Sequence, residues 1–254
     1  MQLTITLKTK LLFRTLPFSL LIGCGGSSDE ASAITSLPVT YVSAKQTWNT
    51  TTPPNYRFTL TQNCFCLQES PIVVTVQDGK VIGGFYADSL TGVSKERLQR
   101  LPTLTGLFLL ADDAYAKSAV QVDVTFNQSK GYLESLYIDY SRMIADDEVG
   151  YRVSDFSEMV APQTKVSVVK SMNSRQCESG GKSLASLQQE LAAVGVPVMN
   201  ASCGVDGNIY PTVCGAGDGR IGIFDIWTGQ TAHNLPEGFS PLSNFPKAQV
   251  LSCN

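Results

Sequence analysis

Cys64-Phe65-Cys66 sets two thiols two residues apart, the most openly reactive arrangement in the sequence. On an extended strand, residues i and i+2 share a face. Their Cβ atoms then stand farther apart than the ~3.8 Å a disulfide needs. A bond between them requires a local bend, and the strain makes it easier to reduce. The pair could serve as a small structural bridge, a thiol-redox centre or part of a metal site. Metal binding needs more ligands, and the single histidine, His233, lies far along the chain in a polar loop. Four more cysteines follow at Cys177, Cys203, Cys214 and Cys253. Asp112-Asp113 and Asp146-Asp147-Glu148 offer carboxylates for a hard cation, but no spaced loop of oxygen ligands accompanies them, and they read as solvated surface. Gly215 to Gly222 is glycine-rich without opening a helix, because Ile221-Gly222-Ile223-Phe224 reads as a strand. Ser179-Gly180-Gly181-Lys182-Ser183 has the tail of a phosphate loop, but Gln176 stands where its first glycine belongs. No Gly-x-Ser-x-Gly or His-Glu-x-x-His string is present. The chain reads as a non-enzyme with no cofactor and no metal.

The elements that carry these residues follow from periodicity. Tyr56, Phe58 and Leu60 alternate with polar residues, the period of a half-buried strand, and Pro53-Pro54 ends the segment around Trp48. Ile72, Val74 and Val76 alternate up to Asp78-Gly79, a tight-turn dipeptide leading into Lys80-Val81-Ile82. Leu104, Leu107, Phe108, Ala111 and Tyr115 share one helical face, with Thr103 or Thr105 as cap. Val120 to Phe126, Leu136 to Tyr140 and Tyr151 to Phe156 are further strands. Strands, helix and strands with short connections predict an antiparallel sheet with a packed helix over 41–160. Val166 to Asn173 reads as a connecting segment or edge strand. Ser183 then caps a helix through Leu184, Leu187, Leu191 and Val194, with Gly195 as its stop. Pro236, Pro241 and Pro246 space out an ordered coil. The whole is α+β, its second part (172–254) a small disulfide-braced α+β domain.

The N-terminus supplies an address. Lys8, Lys10 and Arg14 precede an apolar run from Leu16 to Ile22. That run is far short of the roughly 20 residues a membrane-crossing helix needs, and suits the apolar part of an export signal. Leu21-Ile22-Gly23-Cys24 resembles the lipobox of bacterial lipoproteins. The resemblance implies that 1–23 is a signal peptide and that Cys24 becomes an acylated N-terminus. Such acylation supplies several chains, where one alone holds only marginally. Gly25 stands where an inner-membrane retention aspartate would, which implies the outer membrane, facing the periplasm. Residues 24–40 read as a flexible polar tether. With Cys24 lipidated, six of the seven cysteines remain, an even number that points to disulfides in an exported chain.

Two further resemblances fall on the body of the chain. Asn55-Tyr56-Arg57-Phe58-Thr59-Leu60 with Cys64-Phe65-Cys66, the Val-Thr-Val-x-Asp-Gly turn, Gly131-Tyr132 and Ile138-Asp139-Tyr140 resemble the domain of unknown function 6174 family over about 45–158. That implies an exported α+β domain and no particular reaction. Cys203-Gly204-Val205-Asp206-Gly207, Tyr210 and Cys214 resemble the central segment of Kazal-type protease inhibitors. If that family's pairing carries over, Cys177 joins Cys214 and Cys203 joins Cys253. The simplest local alternative is Cys203–Cys214 with Cys177–Cys253.

A formal charge of −3 with no basic patch excludes nucleic acid as a partner. The leading expectation is a lipid-anchored envelope protein of non-catalytic binding or structural type. Its partners are the membrane, through the anchor, and an envelope protein. A Kazal-like serine protease inhibitor is the first alternative, and a thiol-redox envelope protein using Cys64 and Cys66 the second.

Overall fold

The computed structural model describes residues 37–144, 146–178, 180–228 and 235–253. The signal residues Leu21, Ile22 and Gly23, the lipidation residue Cys24 and His233 lie outside them. Two antiparallel sheets carry the described chain.

The first sheet is built from β1 (Asn55–Cys64), β2 (Ile72–Gln77), β3 (Lys80–Tyr86), β4 (Gln121–Phe126), β5 (Leu133–Asp139) and β6 (Val149–Glu158). Their order is β3-β2-β1-β6-β5-β4. The hairpin expected at Asp78-Gly79 joins β2 to β3, and both turn residues have positive φ, as a tight turn of this hand needs. Three helices accompany the sheet: α1 (Val39–Thr51), the short α2 (Lys95–Leu98) and α3 (Leu104–Ala116). Thr103 caps α3 by accepting from the Gly106 amide, as its spacing predicts. The apolar face of α3 packs on β5 and β4 and buries Leu104, Leu107, Phe108 and Ala111 in the same core as Tyr56, Phe58 and Leu60 of β1.

α1 is the element that periodicity showed least. It begins at Val39, so the end of the expected tether is already helix. It ends at Thr51, where Pro53-Pro54 stops it. Only Tyr41 and Trp48 are fully buried along it, and Trp48 meets Tyr56, Tyr132 and Phe156 edge-on. The helix lies close to the β4–β5 turn because Gly131 has no side chain. A Cβ there would come within 2.4 Å of the Ala44 carbonyl oxygen.

The second sheet has the order β10-β7-β9-β8-β11. Its strands are β7 (Lys165–Ser171), β8 (Asn200–Val205), β9 (Arg220–Trp227), β10 (Ser240–Pro241) and β11 (Gln249–Leu251). Two expectations change here. Lys165–Ser171 is neither connector nor edge, because the two residues of β10 pair along its free side, and the second sheet therefore starts before position 172. The proline-spaced C-terminal segment is more than coil, since it supplies β10, a 3-10 turn at Leu242–Asn244 and β11. Pro241 is tolerated because β10 is an edge strand. The helix expected after Ser183 is α4 (Leu184–Ala193), capped by that serine. It buries Leu187 and Leu191 against Val168, Phe224 and Ile226. The opposite face, at Val169, Ile221 and Ile223, is covered by Leu242, Phe245 and Ala248 of the C-terminal segment.

Candidate functional site

The cysteines form three disulfides: Cys64–Cys66, Cys177–Cys214 and Cys203–Cys253. The longer two have the connectivity that the Kazal resemblance implied, not the local alternative. Cys64 ends β1, and the Cα atoms of Cys64 and Cys66 lie 5.1 Å apart. That is shorter than the roughly 6.6 Å of two extended residues, so the chain bends there. Phe65, between them, is 81% exposed, and Leu67 just beyond is 93% exposed. Arg97, near the end of α2, steadies the following loop. Its Nε donates to Glu69 at 2.7 Å and its Nη2 to the Gln62 side chain at 3.0 Å.

The clefts of the described surface include three with charged side chains in their walls. One of about 700 Å³ runs along the seam of the two sheets, lined by Val93, Lys165, Asn200 and Asp225 among others. The seam is close-fitted: the Val198 amide donates to the Leu90 carbonyl, and a Cβ on Gly92 would meet the Met199 carbonyl oxygen at 2.2 Å. Its one carboxylate, Asp225, already accepts from Ser167 at 2.7 Å.

A second cleft, about 570 Å³, lies beside the second sheet between Asp206, Tyr210, Asp218 and Lys170. Its charges are also committed. Asp206 accepts from the Tyr210 hydroxyl at 2.6 Å and from the Asn208 amide and side chain at 2.9 Å each. Burial pushes the Asp206 carboxyl up, but those bonds outweigh it and hold the group below its usual range. Lys170 pairs with Glu190 at 2.7 Å, and Ser174 donates to Asp218. The cleft is a braced loop.

The third cleft, about 430 Å³, opens on the helix-free face of the first sheet beside Phe65. Gly150 of β6 forms its floor, opposite Tyr137 of β5 on one side and Asn63 of β1 on the other. Glu148 and Asp146 stand at one end and Arg152 at the other. Among the described residues neither Glu148 nor Arg152 has an ion-pair partner. Asp139, Asp147 and Glu148 bring one carboxylate oxygen each within 4.8 Å of one another. Of the run expected as solvated surface, Asp146 is exposed, whereas Asp147 and Glu148 are half-buried, as is Asp139. Burial, then Asp139 and Glu148, push the Asp147 carboxyl up. Burial and the same acidic neighbours, Glu148 foremost, raise Tyr137. Three carboxylates fall short of the six to eight oxygens calcium takes. Asp112-Asp113, the other acidic pair, is spent on structure: Asp112 accepts from Tyr41 and pairs with Lys45, and Asp113 pairs with Lys117.

Residues 40–158 match DUF6174, a family of unknown function. The match runs from α1 to the end of β6, so the DUF6174 region is the first sheet with its helices and the third cleft. No curated protein and no solved structure matches the chain. Sequence reading placed Cys64, Phe65 and Cys66 correctly as a bent staple but missed Tyr137, Gly150 and Arg152. Their only signal was register: 150 and 152 fall on one face of β6, and pairing with β5 brings Tyr137 alongside Gly150.

Proposed function

We propose that the chain is a lipid-anchored protein of the bacterial cell envelope, held at the outer membrane facing the periplasm, and that it binds rather than catalyses. The observation that carries the proposal is Leu21-Ile22-Gly23-Cys24 behind its short apolar run. Three disulfides support export, because such bonds persist in oxidising compartments. The open cleft of the DUF6174 region supports binding. Its opposite charges stand at its two ends, where catalysis would need groups converging on one reacting atom. Its partners on this reading are the membrane, through the acyl chains, and a ligand or protein of the envelope.

Cys24→Ser tests the anchor. The native chain is expected to sediment with membranes and to need detergent for release. The variant should appear in the soluble periplasmic fraction with its three disulfides intact. A variant that still sediments after a high-salt wash would count against anchoring.

Serine-protease inhibition is the second reading, favoured by the Cys177–Cys214 and Cys203–Cys253 pairing. Against it, α4 and β8 fill the stretch between Cys177 and Cys203, where an inhibitor presents a short exposed loop. Stoichiometric loss of trypsin or subtilisin activity would favour this reading, and full activity at an equimolar chain would remove it. Thiol redox at Cys64–Cys66 is set aside because the bond has a plainer use, which is to hold Phe65 at the rim of the cleft.

A further inference from the structure

We infer that the open face of the DUF6174 region binds a short zwitterionic peptide laid along β6, its ammonium end at Glu148 and its carboxylate end at Arg152. The inference rests on the binding role proposed above and names the ligand class of that cleft.

Residues two apart on a strand share a face, so Gly150 and Arg152 stand in one row of β6, and Glu148, just before the strand begins, lines the same cleft. Four steps of chain put at most roughly 13–14 Å between the Cα atoms of Glu148 and Arg152. Side chains leaning inward from both ends leave about 7–10 Å between the ligand's own charges. That is the length of a dipeptide or tripeptide, at about 3.3–3.6 Å per residue. Gly150 provides the floor without strain. A Cβ placed there would meet only Asn63 at 3.6 Å and Tyr137 at 3.9 Å, so the gap over it is free space and not a tight fit. Tyr137 and Phe65 flank that floor with aromatic surface, which suits the body of a peptide more than a bare ion.

The charges are arranged for opposite ends of one molecule. Asp139 and Asp147 stand close behind Glu148 and make that end strongly anionic. Arg152, exposed and unpaired, offers the planar fork that grips a carboxylate by two parallel bonds. The Cys64–Cys66 bond and the Arg97 ties fix the position of Phe65 in advance, which lowers the ordering cost of binding.

Calorimetry on the full chain carrying Cys24→Ser tests this, with the free tripeptide Ala-Leu-Ala as probe. The unacylated chain makes the result independent of whether the anchor exists. Ala-Leu-Ala is expected to bind, and acetylating its N-terminus or amidating its C-terminus should each weaken binding by about tenfold or more. In Glu148→Gln the penalty for acetylation should vanish, and in Arg152→Gln the penalty for amidation. Gly150→Leu should keep the native near-ultraviolet circular dichroism and lose binding, because it fills the floor. Equal affinity for free and doubly blocked peptide would overturn the inference. So would no binding by a chain with native dichroism, or tighter binding of glycerophosphoethanolamine, which would assign the cleft to a lipid headgroup.

Discussion

Trp48→Ala is expected to lower the unfolding free energy by about 3–5 kcal/mol, the range for truncating a fully buried tryptophan. Trp48 has no exposed surface and meets three rings edge-on: Tyr56 of β1, Tyr132 before β5 and Phe156 of β6. Its indole nitrogen donates to Thr105 at 3.0 Å, tying α1 to the first turn of α3. Alanine would leave a cavity where α1, α3 and the sheet converge, and would remove the bond to Thr105. The other end of α1 is held by Tyr41, which packs on Phe108 and Tyr115 and donates to Asp112, so the loss is expected at the Trp48 end of the helix. Urea denaturation followed by circular dichroism measures the effect. A loss below about 1 kcal/mol would mean that α1 contributes little to the DUF6174 region.

Cys203→Ser with Cys253→Ser should cost about 4 kcal/mol in the chain-entropy model, because the bond spans a sequence separation of 50. The structural consequence should be local to the second sheet. β11 has three residues, all exposed, and pairs only with β8. The bond to Cys253 lies just beyond it and holds the whole C-terminal segment in place. That segment covers Val169, Ile221 and Ile223, so its release would wet one face of the sheet. Limited proteolysis should cut the double variant near residues 242–251 and spare α4. An unchanged denaturation midpoint and no new cleavage would show that packing alone holds the segment.

What the sequence shows and what it hides divides along physical lines. Alternation exposed β1, β2, β4 and β5 because each has one face on a single core. Capping chemistry exposed α3 and α4 through Thr103 and Ser183, where a hydroxyl accepts from a free amide. α1 was faint because burial falls on Tyr41 and Trp48, two turns apart, with Ser43, Lys45, Gln46 and Thr47 between. β7 looked like an edge because its covering strand, β10, is two residues long and follows far later in the chain. The cleft was invisible for a similar reason. Glu148, Gly150 and Arg152 become a site only when register sets Tyr137 and Asn63 beside them, and register is a long-range property. The partners of the two longer disulfides were legible only through resemblance, since four cysteines alone leave three pairings open.

One N-terminal mass decides whether this globule is tethered at all. Trypsin digestion of the protein taken from its native envelope should release a peptide that starts at residue 24 and ends at Lys45, heavier than its sequence by a diacylglyceryl group and an amide-linked acyl chain. A peptide that retains residues upstream of 24, or one that carries an unmodified thiol, would contradict the account.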